Sequence, residues 1–172
     1  MASKKPGPER PLQNSMGETP DIFIALGANL ASAAGPPETT LRAALKALEA
    51  KGVRILDVSN FRQTPAWPDP ADPPFTNAVA KIQTELQPIA LLGLLHEVET
   101  AYGRKRSTLN APRTLDLDLI DYRGQVTRGP VEVPHPRLAE RRFVLEPLAE
   151  LAPGWRHPVT GMSVQALLRA LG

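Results

Sequence analysis

The chain of 172 residues contains no cysteine. That excludes disulfides, thiolate nucleophiles and cysteine-ligated zinc. No apolar run approaches the ~18 residues needed to cross a bilayer. Residues 1–20 are polar and scattered with proline and glycine, and they lack the apolar stretch of a signal peptide. We read them as a disordered lead-in and expect a cytoplasmic location with no membrane partner. Neither sign of charge dominates. A net charge of +2 is too weak to imply a nucleic-acid partner. The phosphate-binding fingerprints G-x-x-x-x-G-K-[ST] and G-x-G-x-x-G are missing, as is the protein-kinase signature set. Chemistry on a nucleotide would therefore have to rest on metal and arginines. Aromatics make up only 5%, and such residues in a mostly aliphatic chain belong first to the core. Trp67, Phe75 and Phe143 are the ones that could stack on a flat ring.

What is present suits one globular domain over residues 21–172, with 42% hydrophobic and 22% charged residues. Asp21 to Leu26 reads as a buried strand. Leu41, Ala44, Leu45 and Leu48 repeat at helical spacing after Pro36-Pro37, and Gly52 stops that helix. A second strand is predicted from Val53 to Phe61. The proline-rich stretch 64–74 then reads as a surface loop. A third strand is predicted from Asn77 to Leu86. Pro88 opens a second helix with the stripe Leu91, Leu95, Val98 and Tyr102, closed by Gly103. Thr114 to Tyr122 alternates strictly, and Arg123-Gly124-Gln125 turns into a short hairpin. Ser163 caps a last helix. Adjacent middle strands favour antiparallel pairing. The order therefore predicts an α+β fold of the ferredoxin-like kind, a mostly antiparallel sheet flanked by helices.

The most informative stretch is Thr114-Leu115-Asp116-Leu117-Asp118-Leu119. Side chains of a strand alternate faces. The three leucines therefore point into a core, and Asp116 and Asp118 point the other way, side by side. An isolated D-x-D also describes a solvent-facing strand edge. Here arginines change the reading. Arg104, Lys105, Arg106 and Arg113 crowd one stretch, and Arg137, Arg141 and Arg142 another. Oxygen ligands select magnesium or manganese, and carboxylates with arginines describe a phosphate site that uses metal. His96 and Glu99 share a helix face, which also suits an exposed polar surface. His135 sits between two prolines on a rigid extended segment.

These motifs in this order resemble the 6-hydroxymethyl-7,8-dihydropterin pyrophosphokinase family, from Ile22 to the end of the chain. The strongest match runs from Ala111-Pro112-Arg113 through Asp116 and Asp118. Supporting matches are Gly27-Ala-Asn29, Thr64-Pro65, Asn77, Glu99, Gly103-Arg104-Lys-Arg106, Pro134-His135, Arg141 and Phe143. The resemblance implies transfer of pyrophosphate from ATP to a hydroxymethyl-dihydropterin, with AMP released. It implies two magnesium ions on Asp116 and Asp118, and catalytic charge stabilisation by Arg104 and Arg113. ATP would meet His96, Glu99, Arg106, Arg113, His135 and Arg141. The pterin would meet Thr64, Pro65, Phe75, Asn77 and Phe143. The partners implied are small molecules, and a monomer is expected. Three positions depart from the family pattern: Asn110 where a tryptophan is common, Pro136 in place of an aromatic, and Phe75 in place of a tyrosine. The competing readings are an anion- or RNA-binding module of the same fold, which has no need of both aspartates, and a metal-dependent nuclease, which needs more acidic ligands.

Overall fold

Ile22, Ile24, Leu26 and Ala28 alternate with Phe23, Ala25 and Gly27, so a strand here is apolar or small on both faces. It becomes β1 (Ile22–Ala28), the middle of an antiparallel sheet. A computed structural model describes residues 20–66, 68–103 and 113–172. Trp67, Arg104, Lys105, Arg106 and Asn110 lie outside the described residues, as do the lead-in residues 1–19.

β4 (Phe75–Gln83) and β5 (Asp116–Tyr122) flank β1, both antiparallel to it. β2 (Arg54–Val58) and β3 (Arg62–Thr64) share the far edge of β4. The order β2-β4-β1-β5 leaves β5 as an edge strand. Helices α1 (Pro37–Ala50) and α2 (Pro88–Ala101) follow β1 and β4. Their buried faces, Leu41 and Leu48 on one and Leu91 and Leu95 on the other, pack with Ile22, Ile24 and Leu26. Helices α3 (Arg142–Leu151) and α4 (Val164–Ala170) complete the chain. They cover the opposite face with Val144, Leu148 and Leu167, against Phe23, Val79 and Ile120. The expected α+β, ferredoxin-like arrangement is the one observed, an antiparallel sheet flanked by helices on both faces.

Helix ends follow the sequence signals. Pro88 begins α2, where its missing N–H is no loss. Gly103, at φ +84°, lets the chain leave that helix. The Ser163 hydroxyl accepts the Ala166 amide at 3.1 Å.

Two predicted elements differ. The strand expected over 53–61 is broken at Ser59, and its second piece runs on to Thr64, which the sequence placed in a loop. The Ser59 amide donates to the Val79 carbonyl, while its hydroxyl accepts the Val79 amide, both at 2.9 Å. A side chain thus replaces one rung of the ladder, and the edge bends. The hairpin expected after Tyr122 shrinks to one bridge between Thr127 and Val133. Pro130 and Pro134 cannot donate to a ladder there.

At the far end of the sheet Asp121 is 4% exposed. Its carboxylate accepts the Trp155 indole N–H at 2.8 Å and the Gly124 amide at 3.0 Å. Burial pushes its pKa up, and these two bonds oppose the shift. A carboxyl with a raised native pKa loses stability on ionising as pH rises. Trp155→Phe removes one bond to the charged form. We expect it to cost about 1–3 kcal/mol at pH 7 and less at a pH acid enough to protonate the carboxyl. Urea unfolding at both pH values checks this; an equal loss at both would contradict it.

Candidate functional site

Leu115, Leu117 and Leu119 are buried in the core against α1 and α2. Strand alternation then turns Asp116 and Asp118 to the other face. The pair costs something to hold. Two carboxylates about 6.6 Å apart repel by about 2–3 kcal/mol at an effective dielectric near 20. Each buried leucine contributes roughly 1.5–3 kcal/mol, so the leucine face wins and the orientation is fixed.

Registry decides what stands beside the aspartates. Gly27 pairs with Asp116 on one side and Asn77 on the other, and Ala25 pairs with Asp118. The central strand therefore presents a glycine and an alanine beside them. A Cβ on Gly27 would lie 2.9 Å from Asn77 Oδ1. This depression is the floor of a cavity of about 520 Å³ that the first turns of α3 also line.

One half of the cavity is ionic. Arg113 Nη1 lies 3.3 Å from Asp116 Oδ2, and Arg141 Nη1 lies 3.6 Å from Asp118 Oδ2. Arg141 also sits over the Phe143 ring, 5.6 Å from its centre. Among the described residues no cluster of three or more histidine, aspartate or glutamate side chains could cage a metal. Two carboxylates on an open floor instead suit magnesium, which takes one or two carboxylates and leaves places for phosphate oxygens and water. The arginines within reach suit those phosphates.

The other half is apolar and aromatic. Thr64, Pro65, Phe75, Asn77 and Phe143 line it, and Phe143 is 40% exposed. Asn77 Nδ2 donates to Thr64 Oγ1 at 2.7 Å. That bond fixes the amide of a residue otherwise enclosed by the sheet.

Nine of the expected site residues thus line one cavity: Thr64, Pro65, Phe75, Asn77, Arg113, Asp116, Asp118, Arg141 and Phe143. Arg104 and Arg106 lie outside the described residues. His96, Glu99 and His135 are not in the cavity wall. The exposed polar surface considered for His96 and Glu99 is not what forms, because Glu99 is 1% exposed. Its Oε2 accepts the Leu117 amide at 3.1 Å, between the two aspartates on the sheet's edge strand. His135 Nδ1 accepts the Arg137 amide at 3.1 Å, so in the neutral ring the proton sits on Nε2. Burial, and then Arg141, lowers its pKa to about 4.

Sequence reasoning missed Ala25, Glu140 and Glu146 in the wall. Ala25 was readable as the small residue two before Gly27 on the same face. Glu146 is held by Arg62 at 3.4 Å and Arg142 at 3.3 Å, a meeting of β3 with α3 that no motif announces.

A family model described as 7,8-dihydro-6-hydroxymethylpterin-pyrophosphokinase matches residues 23–153. A 2-amino-4-hydroxy-6-hydroxymethyldihydropteridine pyrophosphokinase of Pseudomonas aeruginosa is 40% identical, over 87% of this chain and 90% of its own length. The folic acid synthesis protein fol1 of Schizosaccharomyces pombe is 36% identical over 87% of this chain, which spans only 20% of that longer protein. The corresponding protein of Pneumocystis carinii is 35% identical over 83% of this chain, which spans 19% of it.

His135 gives a pH test. Its native pKa of about 4 lies below the ordinary 6.5, so the unfolded chain takes up a proton first as pH falls. The native state therefore loses stability from about pH 7 down to about pH 4 and no further from this group. We expect His135→Gln to flatten that stretch of the stability curve, measured as urea midpoints at pH 7, 5.5 and 4. An unchanged acid slope in the variant would contradict the assignment.

Proposed function

We propose that the chain, which belongs to the 7,8-dihydro-6-hydroxymethylpterin-pyrophosphokinase family, is an ATP-dependent diphosphotransferase of folate biosynthesis and that the cavity over Asp116 and Asp118 is its active site. The observation that carries this reading is a paired carboxylate floor, each member bracketed by an arginine, opening into an aromatic half-cavity.

In the proposed reaction the substrate hydroxyl oxygen attacks the β-phosphorus of ATP. The bond from that phosphorus to the oxygen bridging it to the α-phosphate breaks, and AMP leaves with the bridging oxygen. Asp116 and Asp118 would hold magnesium, two ions in this reading, which when bound would draw charge from the phosphate oxygens and make it easier for the hydroxyl to lose its proton to solvent. The protein's own work is position and charge. Arg113 and Arg104 are assigned to stabilise the charge that grows on the leaving phosphate. Arg106, Arg141, His96, Glu99 and His135 serve the ATP end. A neutral His135 offers an Nε2–H donor without adding a cation. Thr64 and Pro65 border the pterin, Asn77 reads its edge, and Phe75 and Phe143 stack on its ring. Arg141 would exchange its carboxylate partner for phosphate, because a doubly or triply charged anion outcompetes a single carboxylate for a guanidinium.

The proposal extends to a single domain over 21–172 that works as a cytoplasmic monomer on small molecules rather than on nucleic acid. The low net charge of +2 supports small molecules over nucleic acid, and no helix among the described residues is long and apolar enough to cross a membrane.

AMP release from ATP with 6-hydroxymethyl-7,8-dihydropterin and magnesium is the test. Folded protein that yields no AMP above background would sink the proposal. Asp116→Ala and Asp118→Ala should each lower kcat by at least about 100-fold while the far-UV spectrum and cooperative unfolding persist. Near-normal turnover in either variant would remove the metal role.

A further inference from the structure

Asn29 lies just past the end of β1 and is 3% exposed. Its side chain makes two bonds to segments far apart in the chain. Oδ1 accepts the Arg113 amide at 2.7 Å. Nδ2 donates to the Pro73 carbonyl at 3.1 Å. The backbone adds to the first link, since the amides of Asn29 and Leu30 donate to the Arg113 carbonyl at 3.0 and 3.2 Å. The amide's orientation is unambiguous. Arg113 offers an N–H, which only oxygen can accept, and Pro73 offers a carbonyl, which only nitrogen can serve.

The two segments serve opposite halves of the cavity. Arg113 carries the guanidinium on Asp116. Pro73 closes the proline-rich loop two residues before Phe75, on the aromatic side. A carboxamide is what this place needs, because it is donor and acceptor at once. Aspartate could keep the bond to Arg113 but could not donate to Pro73, and alanine could keep neither.

We infer that Asn29 is a positioning residue that clamps the Arg113 backbone and the end of the proline-rich loop to β1, so that the ionic and aromatic halves of the site are held in one frame. It does not line the cavity. This rests on the active-site reading above. Misplacing reacting groups by about 1 Å costs about 100-fold in rate, which is why a residue outside the cavity matters to turnover.

The test uses the full chain with Asn29→Ala and Asn29→Asp, assayed well below each variant's Tm, together with amide hydrogen exchange on the wild type. Asn29→Ala should lower kcat by about tenfold or more and raise the KM for the pterin. Asn29→Asp keeps the Arg113 link. It should leave kcat within about threefold of wild type and raise the pterin KM about tenfold, with the ATP KM unmoved. A purely structural role would lower Tm in both without splitting kcat from KM. The inference falls if Asn29→Ala keeps both constants within about twofold of wild type, or if the two variants behave alike. Should either variant fail to fold, the wild-type Arg113 amide decides: strong protection supports the clamp, and exchange at the rate of an open chain overturns it. Wild-type protein that releases no AMP would sink the active-site reading alone, and the Arg113 amide would still judge the clamp.

Discussion

Leu115, Leu117 and Leu119 cannot leave the core, and the chain around them is a strand. Those two conditions leave Asp116 and Asp118 no choice of direction. The cost of setting two carboxylates side by side is smaller than the cost of exposing three leucines, so packing on one face dictates electrostatics on the other. The rest of the site answers that constraint. Gly27 and Ala25 give it depth on the central strand. Arg113, three residues before Asp116, and Arg141, at the start of α3, give it counter-charge. Glu99 occupies the Leu117 amide that an edge strand would otherwise leave buried without a strand partner.

A cavity over one end of the sheet gives this arrangement a place to work. On the Phe23 and Ile120 face, α3 and α4 seal the end that holds Asp121 and Trp155. Toward the opposite end of the same face the cavity lies above Gly27. Three separate segments converge there: Thr64 and Pro65 with Phe75, the start of β5 with Arg113, and the stretch from Arg137 to Phe143. Each brings either an aromatic surface or a cation, and none is close to the others in sequence. Side-chain bonds such as Asn77 to Thr64 and Asn29 to Arg113 register these segments on the sheet. Preorganisation of this kind is what a phosphoryl transfer asks of a protein that contributes little covalent chemistry.

Local patterns made much of this legible beforehand. The alternation of 114–122 gave both the strand and the direction of the aspartates, and the helical stripes of α1 and α2 gave the layer beneath them. Legibility failed where a long-range partner decides the outcome. Ser59 breaks a strand because Val79 lies opposite it. Glu99 looks amphipathic on its helix and is buried because β5 ends up against α2. Glu146 enters the cavity wall because Arg62 on β3 meets α3. The family resemblance had assembled the expected site residues across these gaps, and nine of them line a single cavity, while spacing alone could not have joined Thr64 to Phe143.

The central claim is that Asp116 and Asp118 hold divalent metal with the nucleotide, and binding of manganese tests it without relying on turnover. Paramagnetic resonance of Mn²⁺ titrated into the protein with a non-hydrolysable ATP analogue should show two bound ions per chain. Asp116→Ala and Asp118→Ala should each weaken that binding by at least about tenfold. Unchanged manganese occupancy in a folded variant lacking both carboxylates would contradict it.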